Sequence, residues 1–362
     1  MSNTLHIEIQ KAAYSKINEF NLETSEFGKT PTDHMFLAEY HQGEWSNLRI
    51  EPFHPLELSP FNLSFHYGQT VFEGMKAYRM IDGNISVFRV RKHWERFNKS
   101  LTRMAMAEVP FDIFQQGLHA YLKIDNEWVP SVEDSSLYLR PFMIAYEDRV
   151  RVKAAEHFLF LIVGSPAKQY YLKPLNLFVE THYSRAASGG TGNAKCGGNY
   201  GGAFYPTLLA NQKGFDQILW TDASTHQFIE ESGTMNIMFV MDNVLVTPAL
   251  TDSILDGVTR DSILTLAKDM GIPVEEKKLS IQELEKAFQE NRVQEAFGTG
   301  TAAIVAPVGS ITFENRTYQL PPFDENALMF QIKSQLNDIR TGKLPDKYHW
   351  NDIIYVTSKV NP

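Results

Sequence analysis

Cysteine is almost missing from this chain. Among 362 residues the only thiol is Cys196, which excludes an intramolecular disulfide framework and fits a reducing compartment. Long apolar runs are missing as well: no stretch approaches the roughly 18 residues that a membrane-spanning helix needs. The opening MSNTLHIEIQKAAYSKINEF has no continuous apolar segment, so no secretory signal is expected there. The 11 histidines are scattered, with no close pair and no His-Glu-x-x-His pattern, and a metal site finds no support. Positive charge is in deficit: 34 Lys and Arg stand against 43 Asp and Glu, a net charge of −9. That balance argues against nucleic acid or an anionic membrane as partner. It leaves room for a small anionic substrate, which needs only local positive charge.

What is present is an ordinary globular composition, 43% hydrophobic and 21% charged, with aromatics at 12%. The length predicts two domains. Residues 1–30 read as a polar leader. Alternation around Gly43 predicts a hairpin over 35–53. Two further strands are expected between 63 and 88, turning at Asp82-Gly83-Asn84. Helical spacing marks 92–106 and 113–125, and strands follow at 136–145 and 157–163. Residues 164–174 (GSPAKQYYLKP) carry two prolines and no periodicity, and are expected to link a domain of residues 1–163 to one of residues 175–362. In the second half, strands are expected at 217–221, 237–247 and 293–297. A helix opening at Val258 should stop at Gly271, with Pro273 beyond, and another should cover 281–291. The mixture is α/β (α+β).

The second half is organised around residues 188–203, SGGTGNAKCGGNYGGA. This is a run of glycines holding Lys195, with Tyr200 five residues on. It is too closely flanked by apolar segments to be a linker. A phosphate-binding P-loop needs Gly-Lys-Ser/Thr, whereas Lys195 sits between Ala194 and Cys196. A solvated loop lysine and an amine nucleophile that forms a Schiff base both remain open from this window alone.

Other segments could bind anions. GTGTAA at 298–303 matches the dinucleotide fingerprint, but the β-prone AAIVAPVGSITF follows where a helix is required, so a nicotinamide oxidoreductase is a remote alternative. The turn can still offer N–H groups and the Thr301 hydroxyl. The helix start at Val258 could hold phosphate, although a helix capped by Asp256 is the simpler reading of that segment. Arg89 ends a strand inside a basic cluster, either a solvated edge or a phosphate clamp. Glu230 and Glu231 end another strand. Paired glutamates are mostly exposed, and a buried one needs a cationic partner such as a pyridinium nitrogen.

HYGQTVFEGMKAY, SLYLRP, AKCGGNYG, EESGTMNIMFV, GVTRDSIL and FGTGTAA, in this order, resemble the branched-chain amino acid aminotransferases, pyridoxal-phosphate enzymes of fold-type IV. The likeness runs over nearly the whole chain. It implies two α/β domains with the active site in the cleft between them, and transamination between L-leucine, L-isoleucine or L-valine and 2-oxoglutarate. By the resemblance, Lys195 would hold the pyridoxal 5′-phosphate aldehyde as a Schiff base and shuttle the proton. Tyr200 would bond the ring hydroxyl oxygen and Glu231 the ring nitrogen, leaving Glu230 outward. Arg89, Thr301 and the amides of Val258 and Thr259 would cup the phosphate. The amides of Thr301 and Ala302 would take the substrate α-carboxylate. Phe27, Tyr67, Phe72 and Thr234 would wall the side-chain pocket, with Tyr138 and Val152 arriving from a neighbouring subunit and Arg140 receiving the γ-carboxylate of glutamate. A cytoplasmic homodimer is implied. The Cys-x-x-Cys of some animal members is replaced by Ala303 and Ala306. D-amino acid aminotransferase and aminodeoxychorismate lyase share the fold and are the nearer alternatives.

Overall fold

The computed structural model describes residues 4–168 and 173–356. Two compact units divide the chain, residues 1–170 with 337–362, and residues 171–336.

The first unit is built on one sheet. Its strands are β1 (Glu8–Ile9), β2 (His34–His41), β3 (Glu44–Pro52), β4 (Thr70–Phe72), β5 (Met75–Arg79), β6 (Ile85–Phe88), β7 (Ser136–Ala145), β8 (His157–Ala167) and, from the tail, β18 (Asn351–Ile354). They run β1-β3-β2-β8-β7-β5-β6-β18, with β4 also on β7. Helices α1 (Leu63–Tyr67), α2 (Val90–Arg103) and α3 (Phe111–Ile124) complete it. Alternation puts apolar rings on one sheet face, and the α2 and α3 stripes supply the facing rings. Phe160 of β8 thus meets Phe36 of β2, Phe97 of α2 and Phe114 of α3. A Cβ on Gly117 would lie 2.6 Å from the Phe36 ring, so glycine is what lets α3 approach β2 this closely.

Three expectations for this unit change. Residues 63–67 are helical rather than extended, because Asn62 accepts from the Ser64 amide at 3.0 Å and Gly68 ends the turn at φ 62°. Of the expected linker, residues 164–167 continue β8, pairing with β7 as far as Ala167↔Ser136, while residues 169–172 lie outside the described residues. The expected second domain also loses its tail: residues 337–362 group with the first unit. The open edge of β6 explains this, since β18 covers it antiparallel from Asn351↔Phe88. The Arg340 guanidinium adds a cation–π contact 4.2 Å from the Phe88 ring. The polar leader is tied down too, with β1 parallel to β3 and Asp33 accepting from the Ser15 hydroxyl and the Lys16 amide.

The second unit holds β9 (Leu175–Glu180), β10 (Gln217–Thr221), β11 (Ile229–Ser232), β12 (Met235–Met241), β13 (Val244–Pro248), β14 (Val274–Lys277), β15 (Val293–Gly300), β16 (Ile304–Phe313) and β17 (Arg316–Gln319). Its helices are α4 (Gly197–Gly201), α5 (Phe204–Gln212), α6 (Val258–Asp269), α7 (Ile281–Gln289) and the start of α8 (Leu328–Thr341). The sheet runs β11-β10-β9-β16-β15-β12-β13-β14, and β11 pairs with β12 as well, closing a circuit. The single strand expected over 237–247 is two, because Asp242 and Asn243 take positive φ (51° and 63°) and turn a hairpin. After GTGTAA the chain returns as β16, antiparallel to β15 with Gly300↔Ile304, so no helix follows that motif.

Candidate active site

The glycine run folds back on itself. Asn199 donates to the carbonyls of Thr191 (2.7 Å) and Ala194 (2.8 Å) and accepts from the Thr191 hydroxyl (2.6 Å). The short helix α4 then carries Tyr200 back over the lysine, and Lys195 Nζ donates to the Tyr200 hydroxyl at 2.7 Å. Cys196 is buried. Gly192 admits no side chain: a Cβ there would lie 2.5 Å from the Ser253 carbonyl oxygen.

Glu231, Asn236 and Thr299 lie side by side across β11, β12 and β15. Directly opposed residues share a face, and Asn236 Nδ2 donates to Glu231 Oε1 at 3.1 Å. The Leu255 amide donates to the same oxygen at 3.0 Å, and Arg185 lies 2.8 Å from Oε2. Burial pushes the Glu231 carboxyl above the usual range. Arg185 and the Leu255 N–H oppose that push, Glu230 reinforces it, and Lys195 opposes it. Glu230 is not outward on the surface: it is 7% exposed, and the Ser253 hydroxyl donates to its Oε1 at 2.5 Å. The loop through Ser253 covers that face of β11, which is why alternation alone misjudged it.

Three further features join this region. α6 begins at Val258 and Thr259, both buried, and its N-cap is Gly257 rather than Asp256. A Cβ on Gly257 would lie 1.9 Å from Asn236 Oδ1, so glycine seats the helix start against the Glu231 row. The N–H groups of such a helix start favour an anion. Thr234 is exposed in the tight turn between β11 and β12, beside Gly233 at φ 56°. Thr301 and Ala302 are half-buried in the turn after β15.

In the first unit, Phe27, Phe72, Tyr138 and Arg140 come together. The Phe27 and Tyr138 rings meet edge-on at 5.0 Å, Arg140 donates to the Tyr138 hydroxyl at 3.0 Å, and its guanidinium lies 4.6 Å over the Phe72 ring. Tyr138 thus packs against Phe27 and Arg140 of its own chain. A Cβ on Gly74 would fall 2.2 Å from its hydroxyl, so β7 and the β4–β5 link can approach only with glycine at 74. Tyr67 donates to the Val150 carbonyl. Val152, in the same loop, is 77% exposed and joins no cluster among the described residues. Arg89 starts α2 at φ 55°, with its guanidinium 5.1 Å from the Trp350 ring.

Sequence reasoning missed Arg185, Asn236 and a buried trio in the first unit. There Glu73 accepts from Arg96 Nε (2.7 Å) and Nη2 (2.8 Å) and bonds His93 at 2.8 Å. Asn236 had a signal, a lone amide in the apolar strand MNIMFVM that must find a partner. Arg185, in YSRAASGG, had none. Among the described residues no cluster of His, Cys, Asp and Glu could hold a metal, and no helix is long and apolar enough to cross a membrane.

Comparison with known proteins shows the family. Residues 70–311 match the family model for amino-transferase class IV. Branched-chain-amino-acid transaminase 1 of Bacillus subtilis is 41% identical over 95% of this chain and 98% of its own. A probable branched-chain-amino-acid aminotransferase of Streptomyces coelicolor is 39% identical over 90% of this chain and 91% of its own. Among solved structures, the Escherichia coli branched-chain amino acid aminotransferase superposes with a TM-score of 0.71 at 26% identity, over 89% of this chain and 99% of that one. The enzyme of Thermobaculum terrenum in its PLP form, 19% identical with a TM-score of 0.73 over 89% of this chain and 98% of that one, shares the fold. The two α/β units are thus of fold-type IV. The chain belongs to the class IV aminotransferases, and within them to the branched-chain amino acid aminotransferases.

Proposed function

We propose that this protein moves the amino group between L-leucine, L-isoleucine or L-valine and 2-oxoglutarate, with pyridoxal 5′-phosphate as cofactor. The observation that carries the reading is the Lys195–Tyr200 contact of 2.7 Å, in the same unit as a buried Glu231. An amine bonded to a phenol and a desolvated carboxylate fit the aldehyde, ring hydroxyl and ring nitrogen of that cofactor; the start of α6 fits its phosphate. When bound, the cofactor supplies the electron sink for the carbanion at the substrate Cα.

The protein's own groups bind, orient and move protons. Lys195 would hold the cofactor aldehyde and would act as general base toward the proton on the substrate Cα. Tyr200 orients the lysine and bonds the ring hydroxyl oxygen. Ionised Glu231 favours a protonated ring nitrogen, since an opposite charge at close range stabilises the charged form. The amides of Val258 and Thr259, the Thr301 hydroxyl and Arg89 bind phosphate, and the amides of Thr301 and Ala302 bind the α-carboxylate. Phe27, Tyr67, Phe72, Tyr138 and Thr234 take the side chain, and Tyr138 with Arg140 accommodates the γ-carboxylate, because tyrosine has an apolar body and a polar end. The exposure of Val152 supports a contribution to a second copy's pocket, hence a homodimer; the single cysteine supports a cytoplasmic setting.

The visible absorption of the purified protein, before and after L-leucine, tests the reaction: the expected result is a cofactor band that changes with the amino acid. Borohydride reduction and peptide mapping should put the label on Lys195, and a label on Lys168 or Lys173 refutes the assignment. A substrate panel in which D-alanine outperforms L-leucine points to D-amino acid aminotransferase instead. Sedimentation of a fully active monomer overturns the dimer.

A further inference from the structure

Three segments of the second unit meet at one guanidinium. Arg185, between β9 and the glycine run, is held 2.8 Å from Glu231 Oε2, and the two side chains are 10% and 4% exposed. Its Nη2 also donates to the Gly192 carbonyl at 3.3 Å and to the Ser253 carbonyl. Gly192 opens the three-residue lead to Lys195. Ser253 lies in the loop whose Leu255 amide binds Glu231 and which leads into α6. The packing around this junction is tight, since a Cβ on Gly192 would strike both Ala186 Cβ and the Ser253 carbonyl oxygen at 2.5 Å.

A buried carboxylate stays charged only when a cation and hydrogen-bond donors compensate its lost hydration. Glu231 has two neutral donors, Leu255 N–H and Asn236 Nδ2, and its contact with Arg185 supplies the charge. Glu230, the preceding residue, opposes the charge on Glu231 when it is itself ionised. All three contacts run through Nη2, so one nitrogen ties the carboxylate to the backbone on both sides of the junction.

We propose that Arg185 is a positioning residue for the reaction: it keeps Glu231 ionised toward the ring nitrogen and fixes the Lys195 loop in register with it. This rests on the reading of Glu231 as the ring-nitrogen partner. Arg185 reaches the chemistry only through Glu231 and the Gly192 and Ser253 carbonyls.

The test uses holoenzyme prepared with pyridoxal 5′-phosphate carrying 15N in the ring, so that the 15N chemical shift reports ring protonation without turnover. Wild type, Arg185→Gln, Arg185→Lys and Glu231→Gln are compared, with kcat and KM for L-leucine measured in parallel. Glutamine keeps hydrogen-bond donors and loses the charge, so Arg185→Gln should lose the ring proton and about 100-fold in kcat, with KM changed less than about threefold. Lysine restores the charge on a shorter, more compact head: the ring proton should return, with kcat within about tenfold of wild type. A ring nitrogen still protonated in Arg185→Gln overturns the proposal, and so does a soluble Arg185→Lys protein that has lost the ring proton. If Glu231→Gln itself leaves the nitrogen protonated, the underlying reading of Glu231 has failed. If Glu231→Gln removes the proton and Arg185→Gln does not, only the role of Arg185 falls.

Discussion

Glu73 in the first unit and Glu231 in the second are both buried glutamates beside an arginine, yet they are poised in opposite directions. Glu73 meets Arg96 through both carboxylate oxygens, with His93 and the Gly74 amide on Oε2. Burial works against its charge, but Arg96 and His93 outweigh it and hold the carboxyl far below the usual range. Glu231 meets its arginine through one oxygen, has Glu230 beside it, and ends above the usual range. The first carboxylate is fully compensated and has no capacity left for a ligand. The second is under-compensated and gains from one more positive charge. That difference separates a carboxylate that holds a fold together from one that can receive a cationic ring.

The contrast breaks most visibly at Glu73. Glu73→Gln takes the anion away from the buried Arg96 and should cost about 3–5 kcal/mol of stability at pH 7, read by denaturant melts. Because the folded carboxyl is more acidic than its ordinary 4.5, this contribution is fully present above that value and is lost as pH falls through the folded pKa. The gap between wild type and variant should therefore close in acid; a gap independent of pH would contradict the charge argument.

Glu231→Gln should show the reverse pattern. Its folded carboxyl is raised, so the cofactor-free protein gains stability from the protonated form below the ordinary 4.5 and loses it as pH rises through the folded pKa. In cofactor-free protein the neutral isostere should thus gain on wild type as pH rises through the folded pKa. With cofactor and L-leucine, turnover should fall about 10²- to 10³-fold. Equal stability losses in the two variants would erase the distinction.

The local structure around Lys195 is legible in the sequence, whereas the contrast between the two glutamates is not. Lys195, Tyr200 and the helix opening at Val258 lie in local patterns, a glycine run and a well-punctuated helix, which sequence preserves. Glu73 and Arg185 lie in no such pattern, because their roles come from contacts far apart in the chain: Glu73 reaches Arg96 across the β5–β6 hairpin, and Arg185 reaches Glu231 from beyond the glycine run. The tail was misassigned for the same reason, since an open edge on β6 is a property of the assembled sheet. The helix at 63–67 failed differently. Its Asn62 cap and Gly68 stop are readable signals, but its aromatic and apolar residues favour a strand in isolation.

Gly74→Ala sharpens the comparison from the first unit's side. Glu73 holds the β4–β5 link in place, and the Tyr138 hydroxyl occupies the space a Cβ would need, 2.2 Å away. Overpacking of this kind costs about 1–3 kcal/mol, and here it should displace Tyr138 from Phe27 and Arg140. The expected outcome is a higher KM for 2-oxoglutarate than for L-leucine relative to wild type, with the 15N shift of the ring unchanged. A variant with both KM values unaltered would detach this cluster from substrate.

The smallest effect belongs to Glu230, adjacent to Glu231 and on the other face of β11. Successive side chains along a strand point oppositely, and Glu230 turns to the Ser253 hydroxyl, with Oε2 buried and without a hydrogen-bond partner among the described residues. An ionised oxygen in that position would be expensive. Burial raises the Glu230 carboxyl, only partly offset by the Ser253 hydroxyl and Arg185. Glutamine imitates the protonated carboxyl in size and bonding, so Glu230→Gln should keep L-leucine turnover within about threefold of wild type, although the site is buried. The sign with pH is fixed. A raised folded pKa means that wild type holds this stability below the ordinary 4.5 and loses it as pH rises through the folded value, whereas the glutamine variant has nothing to ionise. Melts from acid to alkaline pH should show the variant gaining on wild type as pH rises. A variant that instead loses ground at high pH would mean that Glu230 carries a compensated charge, as Glu73 does.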